Sequence, residues 1–164
     1  MDEMEAREHM VRTLAEFGQH AGMSDLAFDE NGACLLVFDP RVAVYLVADP
    51  AAADLVLWSP IGELPEAFAA KVMRRLLYAN LFWRETAGAT IGLNPENDSV
   101  ILSRRVPAAG LDAAGLAAAV EVMVETAEHL AELLEVADDE VASIEAEAVL
   151  PPHEHPIPAN VIRG

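Results

Sequence analysis

The sequence predicts an α+β domain of the order α-β-β-β-(β)-α-β-β-α, an antiparallel sheet packed with helices. Two observations carry this reading. Apolar residues recur at helical spacings of three and four, switch to strand alternation of two, and switch back. Each change falls at a cluster of Gly, Pro, Asn or Asp, the residues that turn a chain. The apolar share of 53% over 164 residues supplies enough material for one core.

Residues 3 to about 21 read as the first helix, with Met10, Leu14, Phe17 and Ala21 on one face and Gly18 and Gly22 weakening its end. Alternation then begins at Leu26 and Phe28, and Glu30-Asn31-Gly32 supplies a hairpin turn. Cys34, Leu36 and Phe38 share the next strand's face, Val42, Val44 and Leu46 follow after Asp39-Pro40, and Leu55 to Trp58 form a further strand. These strands are apolar on both faces, whereas antiparallel sheets usually wet one. Helices can cover one side; a partner chain is the natural cover for the other.

Pro60-Ile61-Gly62 and Pro65 punctuate the chain before a helix over about 65 to 84. Phe68, Val72, Leu76, Ala79 and Trp83 form one stripe, and Met73, Leu77, Asn80 and Leu81 a second. That arc is wider than one core-facing side requires, which implies a second burial at a dimer interface or a helix central to its own domain. A second hairpin places Ala89, Ile91 and Leu93 before the turn 94–98, and Val100 and Leu102 after it. Asp112 caps a long third helix, with Leu116, Val120, Met123, Ala127, Leu130 and Leu134 inward. Glu121, Glu125, Glu128, Glu132 and Glu135 form an acidic outer stripe that an ordinary solvated face also explains. The domain is expected over 1–136. Residues 137–164 are expected to form an acidic, then proline-rich, mobile extension, because Pro151, Pro152, Pro156 and Pro158 stop regular structure.

Charge and composition exclude several classes. A formal net charge of −18 repels phosphate backbones and disfavours nucleic acid. The acidic start Met1-Asp2-Glu3-Met4-Glu5 lacks the basic and apolar regions of a signal peptide, and no apolar run is long enough to span a membrane. A bacterial cytoplasmic location is therefore expected, without membrane insertion. A single Cys34 within an apolar run fits a reducing compartment.

No catalytic constellation stands out. The sequence has no glycine-rich phosphate loop, no nucleophile elbow and no paired-cysteine metal motif. Cys34 has no activating neighbour in sequence, and His153-Glu154-His155 lacks the second shell of a good metal site. The expectation is no enzyme, no cofactor and no metal.

Several segments, in this order, carry a family resemblance. Phe28-Asp29-Glu30-Asn31-Gly32 is followed by Cys34 and Phe38-Asp39; Ser59 to Pro65 precedes the second helix. Leu76-Leu77-Tyr78-Ala79-Asn80-Leu81-Phe82-Trp83 then leads through Thr86 and Gly88 to Gly92-Leu93-Asn94-Pro95 and Val100 to Arg105. Over about 5 to 135 this resembles the class I type III secretion chaperones of the Tir-chaperone (CesT-like) family. The resemblance implies a homodimer that binds the amino-terminal, non-globular segment of a secreted effector and keeps it export-competent. It implies a dimer interface at Leu76, Leu77, Asn80, Leu81 and Ile91. It implies an effector groove at Leu14, Phe17, Leu26, Phe28, Leu36, Phe38, Val44 and Trp58, positions that a plain core also accounts for. An acidic adaptor or regulatory protein of the same fold, binding a folded partner, is the alternative.

Overall fold

The computed structural model describes residues 1–23, 25–39, 41–64 and 69–136. The extension expected over 137–164, with its histidines, lies outside the described residues, as do Phe68 and Pro65. Helix α1 spans Glu3–His20, strands β1, β2 and β3 span Ala33–Asp39, Val42–Asp49 and Asp54–Glu63, and α2 spans Ala69–Asn80. A 3₁₀ turn at Leu81–Trp83 precedes β4 at Thr90–Leu93, β5 at Ser99–Pro107 and α3 at Ala113–Val136. The five strands form one antiparallel sheet in the order β1-β2-β3-β5-β4, so β1 and β4 are its edges. This is the α+β fold expected.

Local chemistry explains the element ends. Asp2 caps α1 by accepting from Glu5 N–H at 2.9 Å, and the Glu5 carboxylate accepts from Asp2 N–H at 3.3 Å, a reciprocal capping box. At α3, Asp112 accepts from Gly115 N–H at 2.8 Å, as its position ahead of the apolar run predicts.

One face of the sheet carries the core. Cys34 and Leu36, Val44 and Leu46, Leu55 and Leu57, and Val100 and Leu102 are all buried there. Helix α3 packs over β3 and β2, and α1 packs on α3 and β2. The inward residues of α1 (Ala6, Met10, Leu14, Phe17) and of α3 (Leu116, Val120, Met123, Ala127, Leu130) close this layer. Polar bonds fix the helix pair. The Leu111 carbonyl accepts from His9 Nε2 at 2.9 Å and from the buried Thr13 hydroxyl at 3.2 Å. A carbonyl only accepts, so His9 Nε2 carries the proton and Nδ1 is left to accept from Arg12 at 2.9 Å.

Three expectations need correction. The strand expected at Leu26 and Phe28 does not form; residues 26–29 are without regular structure. Asp29 explains it. Its side chain accepts from Asn31 and Ala33 N–H at 2.9 and 2.8 Å, and its carbonyl from Gly32 N–H at 3.0 Å, which closes a local turn rather than a hairpin. Second, Pro60-Ile61-Gly62 does not end β3, which runs to Glu63 with a bulge at Ile61. The bulge is possible because Gly62 adopts φ +147° and lies against Leu134 of α3. Third, α2 ends at Asn80 rather than 84, where Phe82 and Trp83 leave helical φ.

The segment after α1 folds back tightly. Met23 N–H donates to the Gly18 carbonyl at 2.7 Å. A β-carbon at Gly18 would stand 2.6 Å from the Met23 carbonyl oxygen and 2.9 Å from the Leu26 β-carbon. Gly18→Ala should therefore lose roughly 1–3 kcal/mol in urea unfolding, since the backbone must shift. Gly92→Ala, where a β-carbon meets nothing within 4 Å, is the control and should stay within about 0.5 kcal/mol of the unchanged protein.

Candidate functional site

Two apolar surfaces remain open on the described chain. The first is built on α2. Val72, Leu76 and Ala79 turn inward and are buried, while Met73, Leu77 and Leu81, one helical turn apart, stay exposed, Leu77 to 67%. Two expected stripes are thus real, but Trp83 does not belong to the inner one. Phe82 and Trp83 adopt φ of +57° and +53°, left-handed values uncommon for bulky residues, and this ends the helix and turns both rings out. Tyr78 and Leu93 extend the same exposed group.

Asn80 holds this arrangement. Its side-chain amide donates to the Ile91 carbonyl at 3.1 Å, and its amide oxygen accepts from Ile91 N–H at 2.8 Å. Ile91 sits in edge strand β4, where backbone groups facing away from β5 have no neighbouring strand. One asparagine amide supplies the donor and acceptor that a neighbouring residue would have supplied. Arg75 and Glu85, partly buried, form a two-pronged ion pair that ties α2 to the segment after the turn, with Nη1 donating to Oε1 at 3.0 Å.

The second open surface is the sheet face opposite the core. Strand alternation sends Leu35 and Val37 of β1 outward, and both are exposed. Register then aligns Leu35 with Tyr45 and Tyr45 with Trp58 across three strands. The Tyr45 and Trp58 rings stack with centroids 3.9 Å apart and planes 5° from parallel. Val47, Val56 and Ile101 continue this face and are half-buried. Phe38, at a register shift at the end of β1, is exposed beside it, and among the described residues β1 is an edge strand.

The eight expected groove residues therefore do not meet on one surface. Leu14, Phe17, Leu36 and Val44 lie together in the core between α1 and the sheet. Leu26 and Phe28 are half-buried in the irregular segment and pack against that core. Trp58 faces the other side, and Phe38 stands at its margin. Of the interface residues, Leu76 and Ile91 are buried within the chain, Asn80 is engaged by Ile91, and Leu77 and Leu81 are open. Sequence reading passed over Leu35, Val37 and Tyr45 as site residues. The signal was the second apolar face of each strand, which alternation alone marks as outward once Leu36 and Val44 are inward.

Reactive chemistry is sparse. Cys34 is buried, and burial with the nearby Asp29 carboxylate pushes its thiol pKa up, so the thiol stays protonated at neutral pH. Among the described residues no group of three or more His, Cys, Asp or Glu side chains could hold a metal ion. Among them, too, no helix is long and apolar enough to cross a membrane.

Comparison with known proteins agrees with this geometry. The model of the Tir chaperone protein (CesT) family matches residues 12–131, and the chain belongs to that family. A Chlamydia pneumoniae protein is 33% identical over 97 residues, covering 58% of this chain and 74% of its own length. Among solved structures, a chain of the ExsC–ExsE complex superposes with a TM-score of 0.69 at 27% identity, covering 82% of this chain and 97% of its own. A chain of the HopA1–SchA chaperone–effector complex gives 0.68 at 21% identity, over 78% and 97%.

Removing the Asn80 amide tests its role. Asn80→Ala should cost about 1–3 kcal/mol of stability in urea and speed hydrogen exchange at Ile91, because two bonds are lost. Asn80→Asp, which keeps only the acceptor, should fall between it and the unchanged protein. Cys34 should react with iodoacetamide far more slowly than in urea-unfolded chain at pH 8. The native rate should rise with pH only above the usual thiol range, because its folded pKa is raised.

Proposed function

We propose that this chain is a type III secretion chaperone: a homodimer that binds the amino-terminal, non-globular segment of a secreted effector and keeps it export-competent. The observation that carries the reading is the pair of open apolar surfaces on a fold of this family. Each surface suits a different job. The α2 face, with Leu77 and Leu81 exposed above the buried Leu76 and the Asn80–Ile91 clamp, is a compact patch suited to a second copy. The outer sheet face, with Leu35, Val37, Phe38 and the Tyr45–Trp58 stack beside the free edge of β1, suits an extended segment. Strand addition would satisfy that segment's backbone, and the apolar side chains would select its residues. Leu26 and Phe28, half-buried, and the buried Leu14, Phe17, Leu36 and Val44 lie on the core side of the sheet and support that face from within. The similarity to chains from the ExsC–ExsE and the chaperone–effector complexes supports a binding role. The reading assigns no catalysis and no cofactor, and the bacterial cytoplasm as the place of action.

A second reading keeps the fold and makes the chain an acidic adaptor for a folded partner. Its support is the exposed stripe of Glu121, Glu125, Glu128 and Glu132 on α3. Salt separates the two. Apolar binding persists at 1 M salt, where the Debye length is about 3 Å, whereas binding through the glutamates is lost.

Size-exclusion chromatography with light scattering should give a dimer at micromolar concentration, and Leu77→Asp a folded monomer, a loss of about 2 kcal/mol or more. A monomeric parent protein would rule out the homodimer. Trp58→Ala combined with Val37→Ser should weaken capture of a co-expressed effector amino-terminal segment by about tenfold or more while the dimer persists. Undiminished capture would move the site elsewhere.

A further inference from the structure

The exposed face of α2 is not uniform along its length. Residues 69–84 hold Lys71, Arg74, Arg75 and Arg84 and no Asp or Glu, in a chain of net charge −18. Arg75 is taken up by Glu85, whereas Lys71 and Arg74 are exposed. Both lie on the amino-terminal side of Leu77, and the exposed rings of Tyr78, Phe82 and Trp83 all lie on its carboxyl-terminal side. Leu77 is the most exposed of its stripe and stands midway between Met73 and Leu81. Arg84 lies beyond the left-handed turn at Phe82 and Trp83, outside the helical stripe. The helix face is basic at one end, aromatic at the other and apolar along its middle.

The pairing of two copies rests on the homodimer reading above, and this asymmetry decides its geometry. An isologous pair has a two-fold axis, so each contact off the axis occurs twice. An axis parallel to the helices would set Lys71 against the partner's Lys71 and Arg74 against the partner's Arg74. No carboxylate in residues 69–84 would relieve that repulsion. An axis perpendicular to the helices, passing through Leu77, runs them antiparallel and sets the basic half of each on the aromatic half of the other. Leu77 then meets the partner's Leu77, and Met73 meets the partner's Leu81. Arg74 and Tyr78, one helical turn apart, share one side of α2. At a rise of about 1.5 Å per residue, Arg74 comes within about 3 Å of the level of the partner's Tyr78.

We propose that two copies pair antiparallel through α2 about an axis at Leu77, and that Arg74 of each lies against the ring of the partner's Tyr78, a cation–π contact made twice. The chemistry suits the place. Arg74 meets no carboxylate in the facing stretch, and a guanidinium over an aromatic face gains strength where neighbouring apolar residues exclude water. The contact also selects the partner. A different chain that lacks either the cation or the ring forfeits at least one of the two contacts, so like pairs with like.

Cross-linking tests the register, and dilution tests the contact. Both use the full chain, whose one native cysteine, Cys34, is buried. Helix axes about 8–10 Å apart leave Cα atoms on the two-fold axis about 3.5–5.5 Å apart, which meets the disulfide range. Leu77→Cys should therefore link two copies under mild oxidation, at several times the yield of Val11→Cys, an exposed position on α1 that measures collisions. Met73→Cys mixed with Leu81→Cys should join through a short bifunctional thiol reagent, while neither joins to itself. By light scattering over a dilution series, Tyr78→Leu and Arg74→Gln should each raise the dimer Kd about tenfold. Tyr78→Phe, which keeps the ring, should stay within about threefold. A parent dimer without the Leu77→Cys link, or with Met73→Cys joined to itself, overturns the register and leaves the homodimer reading standing. A monomeric parent overturns both. Tyr78→Phe as weak as Tyr78→Leu, or Arg74→Gln without effect, overturns the cation–π contact.

Discussion

A strand buries every second side chain, and in β1 and β2 both sets are largely apolar. Once α1 and α3 cover Leu36, Val44, Leu46 and Leu57, the alternation forces Leu35, Val37, Tyr45, Val47, Val56 and Trp58 to the other side. Turning β1 or β2 over would exchange one apolar set for another and gain nothing. The register is held instead by what is packed inside: the fully buried Leu46, Leu57 and Leu102 and the tie between α1 and Leu111. The outer face pairs its own side chains as far as it can, as the Tyr45–Trp58 stack shows. At β1 no further strand among the described residues continues that ladder, and Leu35 and Val37 are left exposed. Exposed contiguous apolar surface of this kind is the feature on which the proposed binding role rests.

The second open surface has a different origin. Helix α2 could have wound on through Leu81, Phe82 and Trp83, since nothing in their composition breaks a helix. It stops because the Asn80 side chain is committed to the Ile91 backbone, and the chain must then return to begin β4 only ten residues later. Left-handed φ at Phe82, Trp83, Ala87 and Gly88 accomplishes that return. The result turns large side chains outward beside Leu77. A local hydrogen-bond requirement at a sheet edge thus decides which apolar residues a partner can meet.

Most of the architecture was legible from periodicity and capping chemistry. The α3 inner face, from Leu116 to Leu130, and the Asp112 cap followed from spacing, because a long helix repeats its signal many times. The short segments were less legible. Leu26 and Phe28 alternate as a strand would, but Asp29 closes a turn that only its side-chain hydrogen bonds reveal. Pro60-Ile61-Gly62 has the composition of a break and is a bulge, because Gly62 accommodates φ +147° beside Leu134. For the site, the residue types were legible and their partition was not. Leu36 and Trp58 are equivalent as apolar strand residues; only the register assigns one to the core and the other to the open face. Asn80 read as a member of the exposed stripe, whereas its amide is spent within the chain.

Open apolar surfaces normally cost a protein its solubility, and here the charge distribution offsets that cost. Excess carboxylates repel like molecules at long range, where apolar contact has not begun, so random association is disfavoured. The repulsion is weak against a partner that brings cations or no charge, so it discriminates by approach rather than by fit. The outer glutamates of α3, at 121, 125, 128 and 132, contribute to this field from a helix whose other side is buried. Helix α2 is the exception: beside its apolar stripe stand Lys71 and Arg74. At that face the field is locally relieved, beside the exposed Leu77 and Leu81.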